Sequence, residues 1–296
     1  MPPTPTPTPP ESLPAELATV AAQLGLRDIT VLRHSGKAVV CTAGLAGRPV
    51  VVKVLLAAGE PWLARLRHEI RIYRAFAREP PPVRVPALIH TDGRRVLVLE
   101  RLDARPLSTD RYPGRGLTVA QIEPGLTAVR RLAAWHPLSS GFGPAWDYPG
   151  RVSRYHAAGY LTDADRDVAR RLLARCDHRP QIGHGDPLPS NLLLTADGGC
   201  ALVDWEHAGP FLPGFDLAML HTLLGARTPA IRARIDQIVA GTRIEEPFTL
   251  NLVLVLAREL RIHHELPASP LRTERLALLG SAWATARDRL QGAAQS

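Results

Sequence analysis

Two carboxylates and one carboxamide lie close together in the second half of the chain. Asp186 and Asn191 are five residues apart in the segment His-Gly-Asp-Pro-Leu-Pro-Ser-Asn, and Asp204 follows in Val-Asp-Trp-Glu. A positioned carboxylate can accept a proton from a hydroxyl group, and carboxylate and amide oxygens suit a hard cation such as Mg²⁺. Phosphoryl transfer requires these groups: a base for the attacking hydroxyl and metal ligands that hold the phosphates.

Each of these residues alone also has an ordinary structural explanation. Asp186 and Asn191 could form turns with Pro187 and Pro189, and Asp204 could accept hydrogen bonds from the backbone of the loop that follows. The combination of His-Gly-Asp, the spaced Asn, apolar flanks and the downstream Asp-Trp-Glu favours the chemical interpretation.

Both segments resemble the catalytic and metal-binding segments of the aminoglycoside phosphotransferase and choline kinase family, which is related to protein kinases. The spacing from Asp186 to Asn191 is that of the protein-kinase loop H-R-D-x-x-x-x-N. The resemblance implies that Asp186 is the catalytic base and that Asn191 and Asp204 bind Mg²⁺. It also implies a protein-kinase-like two-lobed α+β fold with ATP or GTP as cosubstrate.

Two further residues are implied to support the site. His184 would brace the catalytic loop through hydrogen bonds, and Asp216 in Gly-Phe-Asp-Leu-Ala would steady that loop from the start of a helix. Capping of the helix is an equally good explanation for Asp216.

A lysine and a glutamate are candidates for binding the phosphates of the nucleotide. Lys53 lies in the apolar strand Val50–Leu55, where an unpaired ammonium group would be costly, although an edge strand could turn it towards solvent. Glu69 lies beside an otherwise apolar helix face and could pair with Lys53, or instead with Tyr73 or a neighbouring arginine. The resemblance implies a Lys53–Glu69 ion pair that orients the lysine on the α- and β-phosphates.

Weaker nucleotide-binding candidates come from position alone. Ser35 and Gly36 occupy the turn that the family folds over the phosphates, but an ordinary hairpin turn is at least as good an explanation. Glu100 and Leu102 lie where the family's hinge receives the base through backbone groups.

The elements that must position these residues divide at about residue 100. Strands are predicted over 28–34, 37–43, 48–56, 85–90 and 94–100, with a helix over 60–77. The pattern therefore predicts an N-terminal lobe, residues 15–100, made of an antiparallel sheet of about five strands plus one helix. The resemblance implies that this lobe binds the nucleotide. Residues 1–14, rich in Pro and Thr, are predicted to be a flexible tail.

The remaining residues, 101–296, are predicted to form a mainly helical catalytic and substrate-binding lobe. Helices are expected over 118–135, 162–176, 215–224, 230–240, 248–265 and 272–290. Short strands at 181–184, 191–194 and 201–204 would carry the catalytic loop, and 138–150 reads as a connecting loop.

Composition narrows the class of protein. The net charge of +8 comes from scattered arginines rather than one basic stripe, so an anionic cosubstrate explains it as well as nucleic acid would, and no nucleic-acid partner is expected. The apolar runs are too short for a membrane span, so no membrane partner is expected either. Three widely spaced cysteines and the lack of a secretory signal predict a cytoplasmic protein.

The acceptor is expected to be a hydroxylated antibiotic or related natural product, with resistance or biosynthesis as the role. Residues 101–180 hold more arginines than carboxylates, which disfavours a polycationic acceptor, although Asp163, Asp165 and Asp167 could provide a local acidic cluster or simply a helix start. Leu188 departs from the family, which commonly has a polar residue two positions after the catalytic aspartate. Leu188 cannot donate a hydrogen bond to the transferred phosphoryl group.

Other functions stay open at the level of sequence. A kinase for a primary metabolite, such as an amino alcohol or a sugar, would carry the same residues. His184, Asp186, Asp204 and His207 could instead be ligands of a metal-dependent phosphoesterase. A pseudokinase that binds nucleotide without turnover is a third possibility.

Overall fold

The computed structural model describes residues 13–114, 116–138 and 141–293. They divide into two compact units, one that runs to Ala77 and includes Pro86–Leu102, and one that comprises Arg78–Val85 and the chain from Asp103 onwards. Residues 1–12 of the predicted tail lie outside the described residues.

The first unit is built on an antiparallel sheet. Its elements are α1 (Ala15–Leu24), β1 (Arg27–His34), β2 (Ala38–Leu45), β3 (Arg48–Leu55), α2 (Glu60–Arg78), β4 (Leu88–Thr91) and β5 (Val96–Glu100). Among its described residues, five strands pair in the order β1-β2-β3-β5-β4. The strand β3 is central, since Lys53 pairs with Val40 of β2 on one side and with Leu97 of β5 on the other.

The two faces of this sheet carry different residues because side chains alternate along a strand. Val50 and Val52 of β3 pack with Leu17 and Val20 of α1 in one buried apolar cluster. Lys53 is one residue beyond Val52 and therefore points to the opposite face. The alternation thus brings the single charged side chain of β3 between Val50 and Leu55 to the face away from the α1 cluster.

The second unit is mainly helical. Its helices are α3 (Val119–Ala133), α4 (Tyr148–Ala157), α5 (Asp163–Arg175), α6 (Phe215–Leu223), α7 (Pro229–Thr242), α8 (Glu245–His264) and α9 (Pro270–Gly292). Its strands are β6 (Ala104–Pro106), β7 (Gln181–Gly183), β8 (Leu192–Thr195), β9 (Cys200–Leu202) and β10 (Gly209–Phe211). They form two small sheets, β6-β8-β9 and β10-β7.

The predicted order of elements is confirmed, with additions. Helices α1 and α4 were not predicted, and the segment 138–150, expected to be a loop, includes the start of α4 at Tyr148. Asp147 caps that helix and Pro149 stands in its first turn, a favourable start that the Gly and Pro content of the segment concealed. Strands β6 and β10 also lie outside the predicted elements, and each is three residues long and contains a proline.

No helix within the described residues is long and apolar enough to cross a membrane.

Candidate active site

In the first unit, Lys53 and Glu69 form an ion pair. The Lys53 Nζ lies 2.8 Å from Oε2 of Glu69 on α2, and the glutamate side chain is 1% exposed while the lysine is 18% exposed. A buried carboxylate needs a cationic or hydrogen-bonding partner, and the lysine supplies one. The contact expected from the sequence is present, and it fixes the direction of the lysine side chain.

The turn between β1 and β2 is closed by its own serine. The Ser35 hydroxyl accepts hydrogen bonds from the backbone N–H groups of Lys37 and Ala38, both at 3.3 Å. It also donates to the carbonyl of Ala38. Gly36 lies between Ser35 and Lys37, and a Cβ added there would meet nothing within 4 Å. The geometry is that of an ordinary hairpin turn stabilised by a serine.

Glu100 ends β5, and Leu102 follows two residues later. The backbone N–H of Glu100 donates to the carbonyl of Ala87 at 2.9 Å, and its carboxylate accepts from the N–H of Ala87 at 3.1 Å. Leu102 is buried. Both residues are therefore firmly placed, and their part in binding a base stays a prediction.

In the second unit, Asp216 holds the candidate catalytic segment, residues 182–194, from the first turn of α6. Its Oδ2 accepts a hydrogen bond from the backbone N–H of His184 at 2.7 Å, and its Oδ1 accepts one from that of Gly185 at 2.9 Å. Burial raises the pKa of the Asp216 carboxyl, and the two backbone N–H donors offset part of that rise. Asp216 therefore fixes the backbone immediately before Asp186.

His184 joins the two segments that carry the carboxylates. Its Nδ1 accepts from the backbone N–H of Asp186 at 3.4 Å, so its Nε2 carries the ring proton and donates to the carbonyl of Val203 at 2.9 Å. The ring packs against the buried Trp205 at 4.7 Å between centroids. Both ring nitrogens are thus engaged, which gives His184 the bracing position expected of it.

Asn191 and Asp204 are brought together by the same framework. The side-chain amide nitrogen of Asn191 donates to the backbone carbonyl of Asp186 at 3.0 Å. The backbone carbonyl of Asn191 accepts from the N–H of Val203 at 3.2 Å. Asp204 follows with φ of +67°, a conformation that costs energy for a residue other than glycine. The side-chain oxygen of Asn191 accepts from the Ser190 hydroxyl at 3.3 Å. An amide oxygen with a neighbouring carboxylate is a donor set that suits Mg²⁺.

Asp186 has a partner that the sequence does not predict. Nη2 of Arg258, on α8, lies 2.8 Å from Oδ1 of Asp186, and the two side chains are 20% and 13% exposed. The pair joins residues 72 positions apart. No local pattern around Asp186 or Arg258 signals this contact.

The next residue along α8, Glu259, anchors a second buried pair. Arg111 donates to both of its carboxylate oxygens, at 2.8 and 2.7 Å, and the hydroxyl of Tyr112 donates to it at 2.6 Å. Burial alone would raise the pKa of the Glu259 carboxyl, but the hydrogen bonds and charge of Arg111 and the charge of Arg258 lower it. His263 lies within 3.1 Å of the Tyr112 hydroxyl and completes this network.

The three aspartates at the start of α5, a possible acidic cluster from the sequence, form hydrogen bonds and ion pairs within the protein. Asp165 is buried, caps the helix through Thr162 and pairs with Arg287. Asp163 and Asp167 both form ion pairs with Arg166. These carboxylates therefore stabilise a helix start rather than line an acidic pocket.

The model of the phosphotransferase enzyme family matches residues 35–247 of the chain. This match covers the hairpin turn, the Lys53–Glu69 pair and the whole catalytic segment. No curated protein sequence is significantly similar to the chain.

Solved structures share its fold at low sequence identity. A thermostable mutant of aminoglycoside phosphotransferase APH(4)-Ia, in a complex with ADP and hygromycin B, is 15% identical, with a TM-score of 0.59 over 95% of this chain and 98% of that chain. The GDP and kanamycin complex of APH(2")-IIia is 14% identical, with a TM-score of 0.62 over 91% and 98% of the two chains.

A choline/ethanolamine kinase family protein from Mesorhizobium loti is similar to the same extent. It is 17% identical, with a TM-score of 0.62 over 95% of this chain and 99% of that chain. At such identities the likeness establishes the fold, and the predicted protein-kinase-like two-lobed α+β fold is confirmed.

Proposed function

The chain belongs to the phosphotransferase enzyme family, and from that premise we propose that it transfers the γ-phosphoryl group of ATP or GTP to a hydroxyl group of a small molecule. The observation that carries the proposal is the anchoring of the catalytic segment. Asp216 and His184 hold the backbone N–H groups of residues 184–186, and Asn191 donates to the carbonyl of Asp186. His184 also ties this segment to the carbonyl of Val203, the residue before Asp204.

Each group has a role in that reaction. Asp186 accepts the proton of the acceptor hydroxyl, and Asn191 and Asp204 hold Mg²⁺. The metal, when bound, supplies charge neutralisation for the phosphates. Lys53, directed by Glu69, binds the α- and β-phosphates of the nucleotide.

The remaining nucleotide contacts are proposed from the places of the residues in the chain. The turn at Ser35 and Gly36 lies over the phosphates, and its backbone amides are the groups suited to contact them, since the serine hydroxyl already closes the turn. Glu100 and Leu102 flank the segment that receives the base. His184 and Asp216 support the site without touching the substrate.

For the acceptor we propose a hydroxylated antibiotic or related natural product that is not a polycation. Two of the structural neighbours are complexes with the aminoglycosides hygromycin B and kanamycin. In this chain, however, the carboxylates at the start of α5 are paired with arginines, and the catalytic Asp186 itself is paired with Arg258. A polycation would meet arginines where it needs carboxylates.

A small amino alcohol or another primary metabolite is the second candidate. The similarity to a choline/ethanolamine kinase family protein favours it. The phosphoesterase alternative is disfavoured because both ring nitrogens of His184 are used in hydrogen bonds, so this residue is unsuited to ligate a metal. We place the reaction in the cytoplasm, where the three unbridged cysteines would stay reduced.

The proposal is tested by mass spectrometry of candidate acceptors. The protein is incubated with Mg²⁺ and either ATP or GTP, together with hydroxylated antibiotics of different charge, amino alcohols and sugars. A gain of one phosphoryl group on a single class, with matching release of nucleoside diphosphate, is expected. Nucleotide-independent removal of phosphate from phosphorylated compounds would instead identify a phosphoesterase. Nucleotide binding with no release of diphosphate on any acceptor or water would identify a pseudokinase.

A further inference from the structure

The contact between Arg258 and Asp186 has a consequence for the phosphoryl group. Only Oδ1 of Asp186 is engaged by the arginine, and Oδ2 accepts no hydrogen bond among the described residues. The aspartate therefore keeps one oxygen for the proton of an acceptor hydroxyl. The arginine stands beside that oxygen, close to where the acceptor would meet the phosphoryl group.

The catalytic segment itself lacks a donor at this place. Pro187 has no backbone N–H, and Leu188 has an apolar side chain two positions after Asp186. The transferred phosphoryl group carries negative charge on three oxygens during the reaction, and a positioned cation lowers the energy of that state. A donor beside Asp186, in addition to the metal and Lys53, would have to come from another element, and Arg258 is a cation that contacts this carboxylate.

The guanidinium of Arg258 has donors left for this purpose. A guanidinium group has five N–H donors. Nη2 binds Asp186, and Nη1 lies 3.8 Å from the sulfur of Met219. No nitrogen of Arg258 is both buried and unpaired within the described residues, so Nε, which forms no hydrogen bond there, is accessible. Its side chain is 20% exposed, which leaves room for a phosphoryl oxygen to approach.

Glu259 and its partners fix the helix that carries Arg258. Glu259 is fully buried and receives two hydrogen bonds from Arg111 and one from Tyr112. Because these contacts hold the adjacent residue of α8, the backbone of Arg258 has little freedom to move. A cation held in place before the reaction is worth more than one that must reorganise during it.

We propose that Arg258 is a catalytic residue that binds the transferred phosphoryl group while it orients Asp186. This inference rests on the proposed function. The acceptor hydroxyl gives its proton to Oδ2 of Asp186, and its oxygen bonds to the γ-phosphorus. The bond from that phosphorus to the bridging oxygen breaks, and its electron pair leaves with the nucleoside diphosphate. Arg258 donates N–H to a non-bridging oxygen of the group in transit and undergoes no covalent change.

The test compares Arg258→Gln and Arg258→Lys with wild type. The readouts are nucleotide turnover on an accepted acceptor and on water, and the affinity for MgADP or MgGDP with and without aluminium fluoride. Arg258→Gln should lower kcat by about 100-fold or more. It should weaken binding of the nucleotide–fluoride complex by a comparable factor, while affinity for the nucleotide alone stays within about threefold. Arg258→Lys should retain part of the activity.

Chemical rescue separates catalysis from folding. In Arg258→Ala, added guanidinium at a non-denaturing concentration should restore turnover by about tenfold or more over the same concentration of NaCl. It should not restore Asp186→Asn. Arg261→Ala is the matched control, since Arg261 lies one turn further along α8 and pairs with Glu265 at the surface, and its kcat should match wild type.

Three results would overturn the role of Arg258. The first is a kcat of Arg258→Gln within about threefold of wild type. The second is a loss of activity in Arg258→Gln that weaker nucleotide binding or unfolding explains wholly. The third is a failure of guanidinium to restore the turnover of Arg258→Ala. A wild-type protein without nucleotide-dependent turnover would refute the proposed function itself, so the two failures are distinguishable.

Discussion

The carboxylate of Asp216 accepts hydrogen bonds from the backbone N–H groups of His184 and Gly185, at 2.7 and 2.9 Å. An aspartate in the first turn of a helix thereby holds a segment more than 30 residues away in the sequence. Since Asp186 follows directly, the position of the proposed base depends on a residue of a distant helix. Of the two explanations open at the level of sequence, the structure shows loop support, since α6 begins after Gly214 without a side-chain capping hydrogen bond.

Replacing Asp216 by Asn should therefore impair catalysis more than nucleotide binding. An amide has only one acceptor oxygen, so one of the two backbone N–H groups would lose its partner, at a cost of about 1–3 kcal/mol. We expect a lower kcat, a lower melting temperature and an unchanged affinity for nucleotide. Asp163→Asn is the control, because Asp163 also lies in the first turn of a helix but its side chain is 78% exposed. Equal effects of the two changes would contradict the account.

Gly185 is required by space as well as by conformation. Its φ is +79°, and an added Cβ would lie 2.1 Å from the carbonyl oxygen of His207. Gly185→Ala should lower the free energy of unfolding by more than about 3 kcal/mol and abolish turnover. Gly198 provides a matched control, with φ of +80° and nothing within 4 Å, so Gly198→Ala should cost only about 1 kcal/mol. Chemical denaturation of the two variants measures the difference, and similar costs would refute the steric argument.

Glu69→Gln tests the ion pair in the first unit. The change leaves the Lys53 ammonium group without its buried counter-charge, so kcat/KM for the nucleotide should fall by about tenfold or more. Glu60→Gln on the same helix removes an exposed pair with Arg67 and should have little effect. Isothermal titration with a non-hydrolysable nucleotide measures the binding part of the loss. Unchanged binding and turnover in Glu69→Gln would show that the pair is only structural.

His221 in α6 should make stability depend on pH. Burial lowers its pKa from 6.5 to about 4, although the charge of Asp236 opposes the shift. Between these values the unfolded chain binds the proton and the folded chain does not, so the free energy of unfolding falls as pH is lowered from 6.5 to about 4. The loss from this residue is up to about 3 kcal/mol.

His221→Gln should flatten that part of the stability profile, since glutamine does not titrate. His178→Gln, at an exposed position, is the control and should leave the slope unchanged. Urea denaturation across this pH range gives the slopes directly. A wild-type slope that persists in His221→Gln would assign the pH dependence to other groups.

The catalytic segment could be predicted because its residues are neighbours in the sequence. Asp186, Asn191 and Asp204 lie within 19 positions, and short strands flank them. The Lys53–Glu69 contact could be predicted from two periodic elements, since alternation along β3 and helical spacing along α2 each leave one charged side chain on an apolar face.

The contact of Arg258 with Asp186 could not be predicted because it depends on the tertiary fold and not on the local sequence. Arg258 stands in the run Arg-Glu-Leu-Arg-Ile-His-His-Glu, where alternating charges look like the polar face of any helix. Arg258 and Arg261 look alike in the sequence, yet one meets Asp186 and the other meets a surface glutamate. Likewise α1 begins after Pro14 without a side-chain cap, so its start carries no local signal beyond its composition.

The most direct measurement is the rate of phosphoryl transfer when the carboxylate of Asp186 is replaced by an amide. Wild type, Asp186→Asn and Asp177→Asn are compared by mass spectrometry for transfer of one phosphoryl group from MgATP or MgGTP to the acceptor. Asp177 precedes β7 and its side chain is 98% exposed, so this control should behave as wild type. We expect Asp186→Asn to bind nucleotide but to transfer the phosphoryl group about 1,000-fold more slowly or not at all. Transfer by Asp186→Asn at the wild-type rate would contradict it.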